Sequence, residues 1–333
     1  MRVRVSGDEI EYDEPALIIM NHRTRLDWMY MWSALYQMNP WLITSNKISL
    51  KAQLQSLPGA GFGMSAAHFL FLHRNKEKDS ATFDEAITYY KDMQQNYQLL
   101  LFPEGTDKSP WTTTKSSEYA KKNGLKELKN LLYPRVAGFY HLLSKMRKGI
   151  GRLSVTPLAA QAGHLFGHLL HSRGVRESRK ATTWSPKKEV DLVLKGSCPR
   201  EVHFHVKKIP VAEVPRNEAE CGRWLNERWL QKEATLEQYY AEPKPYNRRF
   251  PMEKSQMVWK NIAALCPMLG FIKRFCFWFW MFVVSIVSYH VMFLRPLQIA
   301  ALYFVIAFFI IKFFYGSLDR CVIQRWRSSF KEP

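Results

Sequence analysis

Two short polar clusters carry the side chains best suited to proton transfer and anion binding: Asn21-His22-Arg23-Thr24-Arg25-Leu26-Asp27 and Phe102-Pro103-Glu104-Gly105-Thr106. Imidazole titrates near neutrality. A carboxylate on its second nitrogen fixes the tautomer and stabilises the imidazolium formed when it removes a proton. His22 and Asp27 supply those two groups five residues apart. On a regular helix that spacing would separate them by roughly 140° around the axis, so the pair needs a non-helical turn to meet. The second cluster joins a carboxylate, Glu104, to a glycine that lets the backbone approach a ligand closely. Arg74 adds a fork-shaped cation suited to bidentate phosphate contact.

Each cluster follows a short apolar run. Ala16-Leu17-Ile18-Ile19-Met20 and Leu99-Leu100-Leu101-Phe102 are too short for helices and suit strands buried on both faces; Phe69-Leu70-Phe71-Leu72, ahead of His73-Arg74, is a third. In open α/β sheets ligands bind beyond the carboxyl ends of strands, which places all three polar ends on one edge. Leu26, Met29, Tyr30, Trp32, Ser33 and Tyr36 fall near helical spacing, so the chain passes from strand through turn to helix around Asp27. The expected fold class is α/β, a mixed sheet flanked by helices.

In this wording the chain resembles the glycerophospholipid acyltransferase family, whose signature is His-x-x-x-x-Asp, a Phe-x-x-Arg block (Phe71 to Arg74) and Phe-Pro-Glu-Gly-Thr. Ile19 to Met29, Lys47 to Lys51 and Asn123-Gly124-Leu125 look closest to its lysocardiolipin acyltransferase branch. The resemblance covers roughly residues 10 to 148 and 189 to 245. It implies an acyl-CoA co-substrate with no further cofactor, a lysophospholipid acceptor, and a membrane, the endoplasmic reticulum by preference. His22 would take the proton from the acceptor hydroxyl, Asp27 would orient it, and the hydroxyl would attack the thioester directly. Arg74, Glu104, Gly105 and Thr106 would form the acceptor site, Arg74 on the phosphate and backbone N–H groups near Gly105 on the phosphate or the oxyanion. Glu104 would hold either Arg74 or a glycerol hydroxyl. Lys47 and Lys51 line a phosphate path or form a solvated face.

The 333-residue chain carries 48 Lys and Arg against 29 Asp and Glu, a net charge of +19. Residues 141 to 200 hold twelve of those cations against Glu177, Glu189 and Asp191. No zinc spacing, helix-turn-helix pattern or aromatic-interleaved basic motif accompanies them, which favours anionic lipid and coenzyme A over nucleic acid. Phe275 to Leu294 is free of Asp, Glu, Lys and Arg and long enough to cross a bilayer; Pro296 to Ile311 is a shorter second candidate, cut by Lys312. Lys273, Arg274, Lys312, Arg320, Arg325, Arg327 and Lys331 flank the outer ends, with Arg295 alone between, which predicts a multi-pass hairpin with cytosolic outer ends. Met1 to Asp13 is polar, with no leader-like run, where family members commonly have membrane segments; this suggests an isoform, a truncated form of the gene, or a version anchored only at its C-terminus. The five cysteines show neither metal spacing nor a dense framework, which favours a reducing compartment.

The expected domains are a catalytic domain at 1–212, a helical connector at 213–270, a transmembrane hairpin at 271–316 and a basic tail at 317–333. Within the first, residues 150–188 read as an irregular basic insertion or loop where the family places a strand: Val155-Thr156-Pro157-Leu158 has the wording of that strand, but Gln161 to Trp184 has little periodicity. A catalytically inactive, membrane-bound lipid-binding or scaffolding protein is the alternative, favoured if that stretch destroys the pocket. His203 and His205 alternate with Val202, Phe204 and Val206, which suits the less apolar face of a strand better than a metal site. Gly59 to Gly63 suits a tight turn. Gly63-Met64-Ser65-Ala66-Ala67 lacks the last glycine of a nucleophile elbow, so a serine hydrolase ranks below both other readings. Trp224, Leu225, Trp229, Leu236 and Tyr240 form an apolar stripe at helical spacing, a packing face.

Overall fold

A computed structural model describes residues 2–57, 59–73, 75–147, 154–162, 201–244, 247–252, 257–259, 267–316 and 318–329. The strands are β1 (Arg2–Gly7), β2 (Ala16–Met20), β3 (Asn46–Lys51), β4 (Leu70–Leu72), β5 (Gln98–Leu101), β6 (Ser154–Ala162), β7 (Glu201–Val206), β8 (Ile209–Pro210) and β9 (Met257–Trp259). The helices are α1 (Asp27–Met38), α2 (Leu42–Ser45), α3 (Ala60–Ala66), α4 (Lys76–Asp92), α5 (Pro110–Lys122), α6 (Val136–Met146), α7 (Glu218–Ala241), α8 (Pro267–Phe293), α9 (Arg295–Tyr315) and α10 (Leu318–Ser329). They form two compact units: Met1–Ser49 with Tyr90–Lys260, and Leu50–Tyr89 with Asn261–Pro333.

The first unit is built on a mixed sheet in which β3, β5, β2, β6, β7, β1 and β9 lie side by side. Every residue of β2 is buried, as the unbroken apolar run requires of a central strand. β2 runs parallel to β5 in the register Ala16↔Gln98 to Ile19↔Leu101, and to β6 from Ala16↔Ser154 to Met20↔Leu158. The strand ends before Asn21 and before Phe102 are therefore neighbours, and the two polar clusters share one edge as expected. β7 is antiparallel to β6 and parallel to β1, which makes the sheet mixed. At Gly7, φ +110°, a Cβ would collide with the Val206 carbonyl. α7 packs on α6, where Gly222 admits the Val136 side chain.

Residues 154–162 differ from the irregular stretch expected there: they form β6, a central strand. Along the edge that β6 shares with β7 and β8, Pro157 falls between the pairs Val155↔Ile209 and Leu158↔Val206, and on the other edge it lies opposite Ile19 of β2. The rest of that stretch, 163–188, lies outside the described residues.

The second unit contains β4, α3 and the three C-terminal helices. Phe62 of α3 meets Phe304 and Phe308 of α9 edge-on at ring separations of 5.7 and 6.2 Å. Tyr89 meets Trp326 of α10 at 5.6 Å. Among the described residues one helix is long and apolar enough to cross a membrane, Arg295–Tyr315, with a shorter apolar helix at Trp278–Phe293. The qualifying helix contains the second candidate segment, Pro296 to Ile311. Lys312 lies within α9 rather than ending it, and the helix stops at Gly316, φ +78°. Gly59, φ +69°, makes a tight turn ahead of α3.

Candidate active site

The turn after β2 folds Asp27 back onto His22. Asp27 opens α1 and is only 3% exposed. Its Oδ2 accepts the backbone N–H groups of Arg23 at 2.7 Å and Thr24 at 2.8 Å, and its Oδ1 accepts the Thr24 hydroxyl at 2.8 Å. His22 Nδ1 lies 3.2 Å from the same Oδ2. The carboxylate thus organises a loop that no helix would provide, and it sits where a helix N-terminus favours negative charge. The His22 ring stacks on Phe102 with centroids 4.2 Å apart. Among the described residues no hydrogen bond engages its Nε2, and the side chain is 16% exposed. The ring is fixed by carboxylate and phenyl, with one nitrogen open.

The Phe102–Thr106 loop grips the His22 backbone from both sides. Glu104 Oε2 accepts the His22 N–H at 3.2 Å, and the Lys108 N–H donates to the His22 carbonyl at 2.9 Å. Gly105, φ +70°, closes the turn by donating its N–H to the Phe102 carbonyl at 2.9 Å. Glu104 is 3% exposed, and its Oε1 accepts the indole N–H of Trp229 at 3.3 Å. Lys232, one turn further along α7, places its ammonium 4.2 Å from the Trp229 ring centroid. Burial pushes the Glu104 carboxyl above the usual range and the Lys232 ammonium below it, and each charge partly offsets the other's shift. The neighbouring Glu233 is buried as well. Its oxygens accept the backbone N–H groups of Lys129, Asn130 and Leu131 at 2.8 to 3.1 Å, pinning the segment that leads to Arg135.

The sequence-predicted residues divide. His22, Asp27, Glu104, Gly105 and Thr106 come together. Both Glu104 oxygens are directed inward, to the His22 backbone and to Trp229, so its carboxylate holds the loop. Lys47 pairs with Leu99 in β3, level with Leu17, about five strand residues short of His22 at about 3.3 Å each. It is buried, its ammonium held below the usual range by that burial. Arg74 lies outside the described residues. His203 and His205 share one face of β7, both meeting the Ser6 hydroxyl, at 3.1 and 3.2 Å, with His203 buried. Ser65 lies buried in α3, a helix, where an elbow serine would sit on a turn between strand and helix.

Sequence reasoning missed Thr24, Lys108, Lys232 and Arg135. Gly105 lies under Arg135: a Cβ there would come within 3.3 Å of the Arg135 Cδ and Nε, and the Arg135 N–H donates to the Pro103 carbonyl at 2.7 Å. The stripe on α7 packs as expected, but Trp229 also donates into the site. The available signal was Lys232-Glu233, two charges set among Trp229, Leu236 and the other stripe residues, where only partnered charges survive burial.

A fixed imidazole backed by a buried carboxylate, at the carboxyl edge of a mixed sheet, is a geometry suited to general-base chemistry in an α/β enzyme. Residues 2–161 match the family described as Acyltransferase, and residues 192–270 match Acyltransferase C-terminus. The chain is 51% identical over 333 residues to lysophosphatidylinositol acyltransferase 10 of Caenorhabditis elegans, an alignment covering 99% of this chain and 80% of that protein. It is 33% identical over 247 residues to lysocardiolipin acyltransferase 1 of Mus musculus, covering 74% of this chain and 60% of that protein. A third relative, 2-acyl-1-lysophosphatidylinositol acyltransferase of Saccharomyces cerevisiae, is 27% identical over 260 residues, 68% of this chain and 62% of its own. The chain belongs to the acyltransferase family.

Proposed function

We propose that this chain transfers a fatty acyl group from acyl-CoA to the free hydroxyl of a lysophospholipid. The observation that carries the reading is His22: its Nδ1 is held by Asp27, its ring by Phe102 and its backbone by the Glu104–Lys108 loop, and Nε2 is left open. Nε2 takes the proton from the acceptor hydroxyl as that oxygen attacks the thioester carbonyl. The tetrahedral intermediate collapses with cleavage of the carbon–sulfur bond, and the imidazolium returns its proton to the departing coenzyme A thiolate. Asp27 stabilises the imidazolium in between. Glu104 is a positioning residue, and Thr106 and Arg135 face the acceptor. Names of the relatives support lysophosphatidylinositol or lysocardiolipin as acceptor. The test is purified protein in detergent, labelled oleoyl-CoA and a panel of lysophosphatidylinositol, lysocardiolipin and lysophosphatidic acid. Labelled diacyl product is expected, and transfer to none of the panel rejects the reading. β6, in place within the sheet, supports the enzymatic reading over an inactive scaffold.

The membrane setting is a two-pass hairpin of α8 and α9 with both outer ends cytosolic, in the endoplasmic reticulum. Support comes from the exposed Trp278, Phe282, Phe304 and Phe309, from the basic residues beyond each outer end, and from Arg295 as the one cation at the connection. A glycosylation acceptor inserted after Leu294 should be modified in microsomes; modification only of an acceptor placed after Ser329 would invert the topology.

A further inference from the structure

Two arginines beside the His22 site meet on one aromatic ring, and neither forms an ion pair among the described residues. Arg23 follows His22, with its backbone N–H fixed on Asp27, and its guanidinium carbon lies 5.7 Å from the centre of the Tyr240 ring. Arg248 reaches the same ring from beyond α7, at 5.2 Å, its Nε donating to the Glu242 carbonyl at 2.9 Å. Lys108 adds a third cation close enough for Arg23 to act on it.

Like charges gathered on a half-buried ring repel one another unless an anion joins them. A guanidinium resting on an aromatic ring keeps N–H donors available for the two oxygens of a phosphate. The anchoring of the Arg23 backbone on Asp27 and of the Arg248 Nε on Glu242 means that less entropy would be lost when an anion binds. We propose that Arg23 and Arg248, steadied by Tyr240, form a phosphate-binding subsite that anchors one substrate beside His22. The proposal rests on the acyl-transfer reading for the identity of that substrate. Two sources carry the required group: the glycerol phosphate of the acceptor and the phosphates of coenzyme A.

The test uses the full chain in detergent with Arg248→Gln, Arg248→Lys and Tyr240→Leu. KM is measured for lysophosphatidylinositol and for oleoyl-CoA, and binding of coenzyme A and of lysophosphatidylinositol micelles is followed by calorimetry, which needs no turnover. Arg248→Gln should weaken one substrate about tenfold or more, the loss expected for one charge-assisted contact, with kcat within about twofold. Arg248→Lys should recover part of that loss, and Tyr240→Leu should weaken the same substrate. A change confined to lysophosphatidylinositol assigns the acceptor phosphate; a change confined to oleoyl-CoA and coenzyme A assigns the donor. If wild type binds both but transfers nothing, the acyl-transfer reading fails and the calorimetry alone judges the subsite. Folded Arg248→Gln that binds both substrates within twofold of wild type overturns the proposal, whatever the turnover.

Discussion

Asp27→Asn isolates the charge behind His22 with little change of shape. In the wild type, Oδ2 accepts from His22 and from two backbone N–H groups, while Oδ1 accepts only from the Thr24 hydroxyl. The asparagine carbonyl can take the Oδ2 place, and its NH2 can donate to the Thr24 oxygen, since a hydroxyl also accepts. Every hydrogen bond then survives and only the negative charge is lost. At 3.2 Å a full charge pair is worth about 5 kcal/mol at an effective dielectric of about 20. The partial exposure of His22 reduces this to about 3 to 4 kcal/mol at the imidazolium, or about two to three orders of magnitude in kcat. Loss of charge at the start of α1 costs about 0.3 to 1 kcal/mol of stability, a fall of a few degrees in Tm. The assay is single-turnover transfer from labelled oleoyl-CoA, paired with thermal melting. A folded variant that keeps more than a tenth of wild-type kcat would refute the assignment of Asp27 to imidazolium stabilisation.

Trp229→Phe removes one of the two donors on the buried Glu104 and should cost about 1 to 3 kcal/mol, read as a lower Tm together with a lower kcat at unchanged KM for oleoyl-CoA. Gly105→Ala places a side chain at φ +70° and presses on Arg135, so it should cost about 1 to 2 kcal/mol of stability and raise KM for the acceptor, measured with lysophosphatidylinositol. Burial, reinforced by the charges of Arg4, His205 and Arg249, holds His203 down at about 3. Its folded pKa is depressed, so its contribution is complete above about pH 6.5 and is lost as pH falls towards 3. His203→Gln should therefore show a flatter decline of Tm than wild type across that window, and parallel curves would contradict the burial argument.

The core of the site was legible because its signals are local. The unbroken apolar runs before His22 and after Tyr97 announced two central strands, and a parallel pairing was enough to bring the polar clusters together. The turn between His22 and Asp27 followed from the failure of helical spacing to join them. Partners supplied by α7 were less visible, because the pairing of Trp229 with Glu104 spans 125 residues and nothing in either neighbourhood encodes the other. Lys47 and Lys51, four residues apart, suggested one helical turn; they lie instead in β3, where Lys47 is buried, because the pairing with β5 that makes the segment a strand is remote in sequence. β6 was half legible: Val155 to Leu158 had the wording of a strand, whereas its continuation to Ala162 shows only in the pairing with β7. The two apolar C-terminal helices were recognisable from composition, whereas α9 runs on past Lys312 to Tyr315 and stops at Gly316.

The central claim is that His22 removes the proton from the acceptor in a direct transfer. The most direct measurement compares wild type with His22→Ala, each incubated with labelled oleoyl-CoA and lysophosphatidylinositol, following both product and label retained on denatured protein. Product from wild type only, with no labelled protein in either sample, is the predicted result. Equal product from both proteins, or an acyl group covalently held by the wild-type chain, would contradict it.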